Sequence, residues 1–597
     1  MGNRYFAMID GDPEAVSAVR RAVDTDTSWI IALDLPHCLV VTERHAIRVA
    51  IADQGVILGP LFAIGRQTRV DSLSASFGGA LATNGAGGLL HGHWGGYVAI
   101  VADAGQHPVE LLRAPFGELP CFYTATARGW AVASDVALLI RFAGFQPRLD
   151  WTALTDFLCA PRVRGSATCL SDLYELRGGD RLRLGDMPPA LTTLWSPWTF
   201  ADRGRELTDG GEAARRLHGE ILAAVATRGS SLTRSVLMLS GGLDSSIIAA
   251  SAAARALDLR CANVSTNDRS GDERRYARAV CEKLGIPLTE RYFELEGVDL
   301  EHSAAAALPR PAARAFEYEA RRQAHRLAEA EGADAVLSGG GGDNIFCSLQ
   351  SVLPLLDCRA GLDDGQAYRR LAREISEMCD TSLWTVRRKA WLRGWRRRRP
   401  ALDMDIGFLS AQAAARATTA SRHPWLEPPA SVLPGKAAHV ALLLGPQYLT
   451  EDSDPAVERC FLYPLLAQPV VELCLRIPTW LWFDRGCNRA VARHAFEADL
   501  PDQVAWRRSK GSPDAFLVAL FESRRRQIRE LLLGGNLAAH GLLDREALTA
   551  HLDDPRPARG ASHVRILRLV DAEVWSRCWP SGTSSDQNVA ISSASSA

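Results

Sequence analysis

The sequence predicts a mixed α/β protein with two large domains. The chain of 597 residues is too long for a single hydrophobic core. In its first third, short β-like runs are separated by glycine-rich turns, whereas later apolar strands alternate with helical periodicity. We therefore expect a β-rich domain over residues 1–205, an α/β domain rich in helices over 206–579, and a disordered Ser-rich tail over 580–597.

The elements of the first domain follow from β-branched and aromatic runs that are bounded by turn residues. Glycine-containing turns between these runs indicate hairpins. Strands are predicted over residues 28–33, 38–41, 97–102 and 130–134, and helices over 13–23 and 151–158.

The second domain contains three short apolar strands, over residues 236–239, 260–264 and 335–337, each followed by glycine or polar residues. Their alternation with helices indicates βαβ units and hence a parallel sheet. Ligands of such sheets bind at the carboxyl ends of the strands, so we expect the binding residues there. Beyond about residue 350 the pattern is mostly helical.

The composition excludes several classes of function. The formal net charge of -1 provides no field that would attract nucleic acid or an anionic membrane, and no apolar run is long enough to span a membrane. The 13 cysteines are odd in number and scattered, without a Cys-x-x-Cys pair. We therefore expect free thiols in a reducing cytoplasm, with neither a disulfide framework nor a structural zinc site.

The first strand of the second domain ends in a loop that is suited to binding phosphate. Small residues let the backbone approach an anion, and the start of the following helix offers free N–H donors. Serine hydroxyls add donors, and Asp244 is an oxygen ligand suited to Mg²⁺. The residues of this loop predicted to bind ATP are Leu239, Ser240, Gly241, Gly242, Asp244, Ser245 and Ser246.

A second glycine-rich loop follows the third strand and carries another carboxylate. Asp244 and Asp343 are expected to share a Mg²⁺ ion that bridges the ATP phosphates. Val264 and Ser265, at the end of the second strand, are well placed to contact the adenine edge. The second loop adds Ser338, Gly339, Gly340, Gly341 and Asp343 to the predicted ATP-binding residues.

These loops together resemble the asparagine synthetase family, as does a third block that contains Arg489 and Lys510. The resemblance implies that Lys510 stabilises charge developing on an acyl-adenylate, and that Arg489, at a position usually held by lysine, binds phosphate. Motifs at residues 92–97 and 113–117 resemble the glutaminase domain of that family. The implied architecture is an Ntn-hydrolase-like β-sandwich followed by a PP-loop synthetase domain of the adenine-nucleotide α-hydrolase type, with ATP and Mg²⁺ as cofactors.

Three positions depart from the family pattern. Glutamine-using members carry a cysteine nucleophile where this chain has Gly2, so we expect no glutaminase activity. Gly340 is expected to leave space where relatives carry Glu or Tyr, and Asn344 replaces a common Glu. These departures resemble the lasso-peptide cyclases, which are macrolactam synthetases. The resemblance implies that an Asp or Glu side chain of a leaderless precursor peptide is adenylated and then joined to the peptide's N-terminal amine. It also implies a leader peptidase and a leader-binding protein as partners.

Two other functions remain open from the sequence. One is an ammonia-dependent asparagine synthetase or a small-molecule synthetase of the β-lactam type. The other is a catalytically silent scaffold that binds a peptide or a partner protein. The retention of Asp244, Asp343 and Lys510 argues against the scaffold.

A basic segment at residues 387–399 has two interpretations. Its Trp391 and Trp395 are spaced i, i+4 and could pack a solvated helix onto the core. Alternatively, the segment is a surface for an acidic peptide or for phosphates.

Overall fold

A computed structural model describes most of the chain, and within it the protein has a mixed α/β fold. No helix among the described residues is long and apolar enough to cross a membrane. The described residues are 3–103, 106–185, 188–266, 271–362, 364–396, 404–416, 423–449, 460–508, 511, 513–556, 558 and 560–580.

The part of the chain up to residue 205, called the N-terminal half below, is built mainly from short strands. These are β1 (Tyr5–Ile9), β2 (Trp29–Leu35), β3 (Cys38–Glu43), β4 (Arg48–Ala50), β5 (Gly55–Leu58), β6 (Leu61–Ala63), β7 (His93–Gly95), β8 (Val98–Asp103), β9 (Gln106–Arg113), β10 (Phe122–Ala125), β11 (Trp130–Ala133), β12 (Tyr174–Glu175), β13 (Asp180–Leu184) and β14 (Ala190–Thr193). They form two six-stranded sheets, in the orders β12-β10-β11-β1-β3-β2 and β14-β13-β9-β8-β5-β4, and the pair β6-β7. All neighbouring strands in both sheets are antiparallel, as the hairpin pattern predicts.

The two large sheets pack face to face as a β-sandwich. Alternation along β1 directs Tyr5, Ala7 and Ile9 into a buried cluster that also contains Ile100 and Leu111 of the second sheet. The predicted strands and helices of this half are all present, with ends that differ from the sequence-based bounds by at most two residues. The helices of this half are α1 (Pro13–Thr25), α2 (Ala75–Asn84), α3 (Leu89–Gly92), α4 (Val136–Ala143) and α5 (Trp151–Cys159).

The second half is organised around one parallel sheet. Its strands are β15 (Ser235–Met238), β16 (Leu259–Ser265), β17 (Leu288–Tyr292), β18 (Ala335–Ser338) and β19 (Phe461–Leu462), and a small hairpin adds β20 (Phe483–Asp484) and β21 (Cys487–Asn488). The sheet order is β17-β16-β15-β18-β19, and every pair in it is parallel. The three predicted strands are confirmed at its centre. The edge strands were not predicted, because β17 has no buried residue and β19 has only two residues.

Helices surround this sheet and dominate the chain after residue 350, as predicted. They are α6 (Gly210–Gly229), α7 (Leu243–Ala254), α8 (Arg274–Leu284), α9 (Ala315–Ala330), α10 (Gly342–Ile345), α11 (Leu353–Leu362), α12 (Gly365–Met378), α13 (Leu383–Arg396), α14 (Ala411–Arg416), α15 (Pro434–Leu442), α16 (Gln468–Arg476), α17 (Ala490–Phe496), α18 (Asp502–Ala505), α19 (Asp514–Ser523), α20 (Arg525–Leu533), α21 (Asn536–Ala539), α22 (Arg545–Leu552) and α23 (Ser562–Ser576).

Helix α13 contains most of the described part of the basic segment. Trp391 is 66% exposed, so the interpretation that it packs on the core is wrong. Trp384, the second residue of the helix, is 68% exposed as well. The side chain of Trp395 lies outside the described residues.

A buried charge cluster joins the two halves of the chain. Glu175, on β12, accepts hydrogen bonds from Arg113 at 2.5 Å, Arg164 at 2.6 Å and Arg310 at 2.6 Å. All four side chains are buried, and Arg310 comes from the second half. Burial alone would raise the pKa of Glu175, but the three guanidinium groups outweigh it and hold that pKa well below its ordinary value.

The thirteen cysteines all lie within the described residues and form no disulfide. Most are buried, whereas Cys379 and Cys578 are exposed. The segment predicted to be a disordered tail lies outside the described residues except for Pro580, whose carbonyl accepts a hydrogen bond from the Leu149 amide at 3.2 Å.

Candidate functional site

A cavity of 310 Å³ lies at the carboxyl ends of β15 and β18. These strands are parallel neighbours, with Met238 opposite Ser338, so the loops that follow them leave the sheet side by side. The cavity thus brings together most of the predicted site residues. Those that line it are Ser240, Gly242, Asp244, Ser245, Ser338, Gly339, Gly340, Gly341, Asp343 and Arg489.

Other predicted residues lie behind this lining. The Leu239 backbone carbonyl accepts a hydrogen bond from Nδ2 of the Asn263 side chain at 2.7 Å, and the Ser265 hydroxyl donates to Oδ1 of the same side chain at 2.5 Å. The buried Ser246 hydroxyl donates to the Gly242 carbonyl at 2.7 Å. These bonds hold the first loop in place from beneath. The predicted residues outside the cavity lining are Leu239, Gly241, Ser246, Val264 and Ser265, and adenine binding by Val264 and Ser265 stays a prediction.

The first loop leads into a helix whose start carries no side-chain cap. Gly241 has φ +74°, a backbone conformation that favours glycine, and a Cβ there would lie 2.7 Å from Cβ of Tyr276. Helix α7 starts immediately afterwards, and its N-cap residue Gly242 makes no side-chain capping bond. Uncapped N–H groups and the positive end of the helix dipole favour a phosphate at this position.

The two loops touch each other through glycine. A Cβ at Gly339 would lie 2.6 Å from the backbone nitrogen of Ser245, and a Cβ at Gly342 would lie 2.5 Å from Cγ of Asp244. Any larger residue would therefore push the loops apart. Their contact fixes the separation of the Asp244 and Asp343 side chains.

Gly340 has a different environment from the open space that the sequence suggested. A Cβ at this position would lie 3.0 Å from Cδ1 of Leu449 and 3.0 Å from Cε1 of Tyr463. Leu449 and Tyr463 thus already occupy the direction in which a side chain would project. The expectation of empty space at Gly340 is corrected: this part of the cavity wall is packed, and its neighbours are one aliphatic chain and one aromatic ring.

Arg489 bridges the two predicted metal ligands. Its Nη1 lies 3.1 Å from both carboxylate oxygens of Asp244 and 2.5 Å from Oδ1 of Asp343. Burial alone would lower the pKa of Arg489, but the two carboxylates outweigh it and raise that pKa. The residue has φ +58°, an uncommon conformation for a non-glycine residue, and its buried Nε has no hydrogen-bond partner.

Arg507 also lines the cavity, and sequence reasoning did not single it out. Its guanidinium group stacks 3.6 Å from the centre of the Tyr276 ring and its Nη2 lies 2.8 Å from Oε1 of Glu273. The side chain is only 10% exposed, and its Nε and Nη1 are buried without a hydrogen-bond partner. Two buried donors beside a cavity are suited to an oxyanion. The only sequence signal was its place in the basic stretch that leads to Lys510.

Two further residues of the lining have structural hydrogen bonds. Arg493 donates to the carbonyls of Asn488 at 2.8 Å and Ala505 at 2.5 Å, and burial together with the nearby Arg489 lowers its pKa to about 10. The Asn344 amide donates to the Leu442 carbonyl at 2.7 Å. Asn344 therefore fixes the end of α15.

Lys510, which the sequence predicts to be catalytic, lies outside the described residues. Its surroundings are partly defined. The Gly511 amide donates to Oε1 of Glu273 at 2.8 Å, and this carboxylate also pairs with Arg507. Glu273 thus ties down the chain on both sides of the Lys510 position.

The pair Asp244 and Asp343 fits a Mg²⁺ ion that is bound together with phosphate. One guanidinium nitrogen reaches both carboxylates, so their oxygens converge on a common point. Among the described residues, no cluster of three or more His, Cys, Asp and Glu side chains could hold a metal. The remaining ligands would therefore come from phosphate oxygens and water, which Mg²⁺ prefers.

The chain was compared with curated protein sequences and with solved structures. No curated protein sequence matches this chain. Two solved structures align at 10% identity with TM-scores of 0.21, which is too low to indicate a shared fold. One is described as the allosteric regulatory enzyme of purine biosynthesis (48% of this chain, 80% of that one), and the other as glutamine phosphoribosylpyrophosphate amidotransferase from B. subtilis complexed with ADP and GMP (57% and 91%).

The family assignment rests on a sequence model. The asparagine synthase model matches residues 216–577, which is more than half of the chain and includes the whole cavity. The protein therefore belongs to the asparagine synthase family, whose members are ATP-dependent carbon–nitrogen ligases that release AMP.

Proposed function

We propose that this protein is an ATP- and Mg²⁺-dependent macrolactam synthetase. Its substrate is a leaderless precursor peptide, of which an Asp or Glu side chain is activated with ATP. The peptide's own N-terminal amine then closes an isopeptide ring, and the product is a lasso peptide. The proposal refines the ligase chemistry of the family by naming the substrate.

The cavity supplies what activation of a carboxylate requires. The uncapped start of α7 and the guanidinium group of Arg489 would bind the phosphates. Asp244 and Asp343 would hold Mg²⁺, which neutralises phosphate charge when bound. Arg507 offers two further donors from a stacked, nearly buried side chain.

The observation that carries the peptide proposal is the wall at Gly340. Its neighbours Leu449 and Tyr463 pack where relatives have a Glu or Tyr side chain, and the adjacent Asn344 is bonded to α15. Among the residues that the structure describes, this part of the wall therefore offers no carboxylate base. An N-terminal amine has a pKa of roughly 8, so an appreciable fraction is neutral near pH 7 and needs no strong base.

The reaction has two balanced steps. A carboxylate oxygen of the peptide attacks the α-phosphorus of ATP, and pyrophosphate leaves. The neutral amine then attacks the acyl carbon, AMP leaves, and the amine loses a proton to solvent. Lys510 would stabilise the negative charge that develops in both steps. Holding the amine and the activated acyl group together in one peptide is worth several kcal/mol, on the order of 7–11 at best.

The N-terminal half is proposed to be an Ntn-type scaffold without glutaminase activity, since Gly2 has no side chain to act as a nucleophile. Its buried Glu175 cluster fixes it to the synthetase half. We also propose a cytoplasmic location, and a leader peptidase and a leader-binding protein as partners.

The decisive experiment supplies the enzyme with ATP, Mg²⁺ and leaderless precursor peptides that carry Asp or Glu. We expect AMP, pyrophosphate and a peptide that has lost one water, which mass spectrometry detects. AMP formation stimulated instead by free aspartate with ammonia would assign an asparagine synthetase, and stimulation by a small β-amino acid would assign a β-lactam-type enzyme. Failure to bind ATP would indicate a silent scaffold.

A further inference from the structure

A second cavity lies away from the ATP site, between α12, α13 and the segment at residues 350–352. This α12–α13 groove has a volume of 410 Å³. Its apolar surface comes from Val352, Ile375, Val386 and Leu392, and its cationic side chains are Lys389 and Arg393. Among the described residues, no aspartate or glutamate lines it.

The face of α13 that points away from the groove is exposed and carries basic and aromatic side chains as well. Trp384, Arg388 and Trp391 are spaced i, i+4, i+7 and therefore share one side of the helix. Both tryptophans are about two-thirds exposed, and the Arg388 guanidinium lies 5.1 Å from the centre of the Trp384 ring. Large aromatic residues beside arginine are typical of binding surfaces and unusual on a solvated helix.

The charge of α13 indicates what kind of ligand the groove binds. Helix α13 contains arginine and lysine but no acidic residue. A ligand of this surface must therefore be acidic, and the apolar floor requires aliphatic or aromatic side chains between the acidic ones. A peptide meets both requirements, whereas a nucleic acid would leave the apolar floor unused.

The groove is connected to the ATP site by a short stretch of chain. Asn344 lines the ATP cavity and Gln350 lines the groove, so their Cα atoms are at most about 22 Å apart. Ser348, between them, accepts a hydrogen bond from the Asn488 amide at 3.0 Å, next to Arg489. An extended peptide of about seven residues is long enough to span this distance.

We propose that the α12–α13 groove binds an acidic, partly apolar stretch of the peptide substrate at a distance from the reacting carboxylate. The identification of the occupant as substrate rests on the proposed function. Binding at this surface selects the peptide and holds its tail while the ring forms. It requires neither ATP nor the residues of the ATP cavity.

The test measures binding without nucleotide, by fluorescence anisotropy, to the full-length protein. The probe is a fluorescein-labelled peptide in which glutamate alternates with leucine, and its comparison peptide has glutamine in place of glutamate. We expect only the acidic peptide to bind, with an affinity that falls as salt is added. The K389E/R393E variant should weaken binding by about 10-fold or more.

The matched control is R526E/R545E, which makes the same change in charge on exposed helices elsewhere and should bind as the wild type does. K389Q/R393Q, a milder change, should weaken binding by a few-fold and guards against misfolding of the charge-reversed variant. Equal binding of both peptides, unchanged binding by K389E/R393E, or tighter binding of a single-stranded RNA that is lost in the same variant would overturn the proposal.

The two proposals fail differently. If the groove is assigned wrongly, K389E/R393E still cyclises an acidic-tailed precursor peptide with an unchanged KM. If the macrolactam function is wrong, the acidic peptide still binds but no dehydrated product forms with ATP. When both proposals hold, K389E/R393E raises KM for the acidic-tailed peptide and leaves kcat unchanged.

Discussion

Arg489 donates from a single nitrogen to both carboxylate oxygens of Asp244, at 3.1 Å each. The same nitrogen reaches Asp343 on the neighbouring loop, so one cation sits where the two carboxylates would hold Mg²⁺. In the proposed reaction, the carboxylates would exchange this guanidinium group for the ion when metal and nucleotide bind. Arg489 would then be available to the phosphates.

The first prediction concerns the exchange of the Arg489 guanidinium group for a metal ion. Replacing Arg489 with Ala should slow AMP formation about 100-fold, the size typical of removing one electrostatic stabiliser, while Arg489→Lys should retain more of the rate. Without nucleotide, Arg489→Ala should bind Mn²⁺ more tightly, because the metal no longer competes with the guanidinium group. Electron paramagnetic resonance measures the bound Mn²⁺. Equal Mn²⁺ affinity in wild type and variant would contradict the competition.

The second prediction concerns the glycines of the loop that follows β18. Gly339→Ala should reduce ATP binding and AMP formation severely, because its Cβ would meet the Ser245 backbone at 2.6 Å. Gly340→Ala should be milder, since the side chains of Leu449 and Tyr463 can shift. Nucleotide affinity measured by calorimetry should rank wild type, Gly340→Ala, Gly339→Ala. Gly219→Ala, in open space on α6, is the control and should retain full affinity.

The third prediction concerns the binding of an oxyanion by Arg507. Arg507→Ala removes a charge-assisted contact worth about 1.5–3 kcal/mol, so the rate of AMP formation at low substrate should fall about 10- to 100-fold. Titrating ATP and peptide separately shows which KM rises, and hence whether the bound oxyanion is a phosphate or the peptide carboxylate. The neighbouring Arg508, 65% exposed, is a matched control, and Arg508→Ala should change neither value. No rise in either KM and no fall in kcat would contradict a binding role.

The fourth prediction concerns the buried Glu175 cluster, which joins the two halves of the chain. Glu175→Gln leaves three buried arginines without their carboxylate and should lower the free energy of unfolding by about 3–5 kcal/mol. The pKa of Glu175 is lower in the folded protein than in the unfolded chain, so its stabilisation is present above the unfolded value and is lost as pH falls through the folded one. The difference in thermal midpoint between wild type and variant should therefore be largest near neutral pH and shrink in acid.

A surface pair provides the comparison for this measurement. Asp34→Asn removes the exposed pair with Arg20, at 2.6 Å, and should change stability by well under about 1 kcal/mol. A Glu175→Gln protein as stable as Asp34→Asn at neutral pH would show that the cluster does not hold the halves together.

The sequence predicted most of the residues that line the cavity because they follow parallel strands. Asp244 and Asp343 lie far apart in the chain, yet each follows a short apolar strand, and neighbouring parallel strands end at the same edge. Glycine-rich loops of this kind are local signals. They could therefore be recognised without knowledge of the three-dimensional contacts.

Other features depend on contacts between distant parts of the chain and left no local signal. The burial of Arg507 depends on Tyr276, which reaches it from α8. The packing at Gly340 depends on Leu449 and Tyr463. Strand β19 has only two residues and is defined by its pairing with β18, so no periodicity could reveal it. The sequence around Glu175 does not indicate that three arginines from separate segments surround this residue.

Cys379 lies on the wall of the α12–α13 groove and is exposed to solvent. In a Cys460→Ser/Cys578→Ser background, a maleimide dye should react there ahead of the remaining thiols, which are buried. Partial burial raises the pKa of the Cys379 thiol, so mildly alkaline buffer will speed the coupling. The molecule thus carries a natural attachment point for an environment-sensitive fluorophore, whose emission would report the arrival of a peptide in real time.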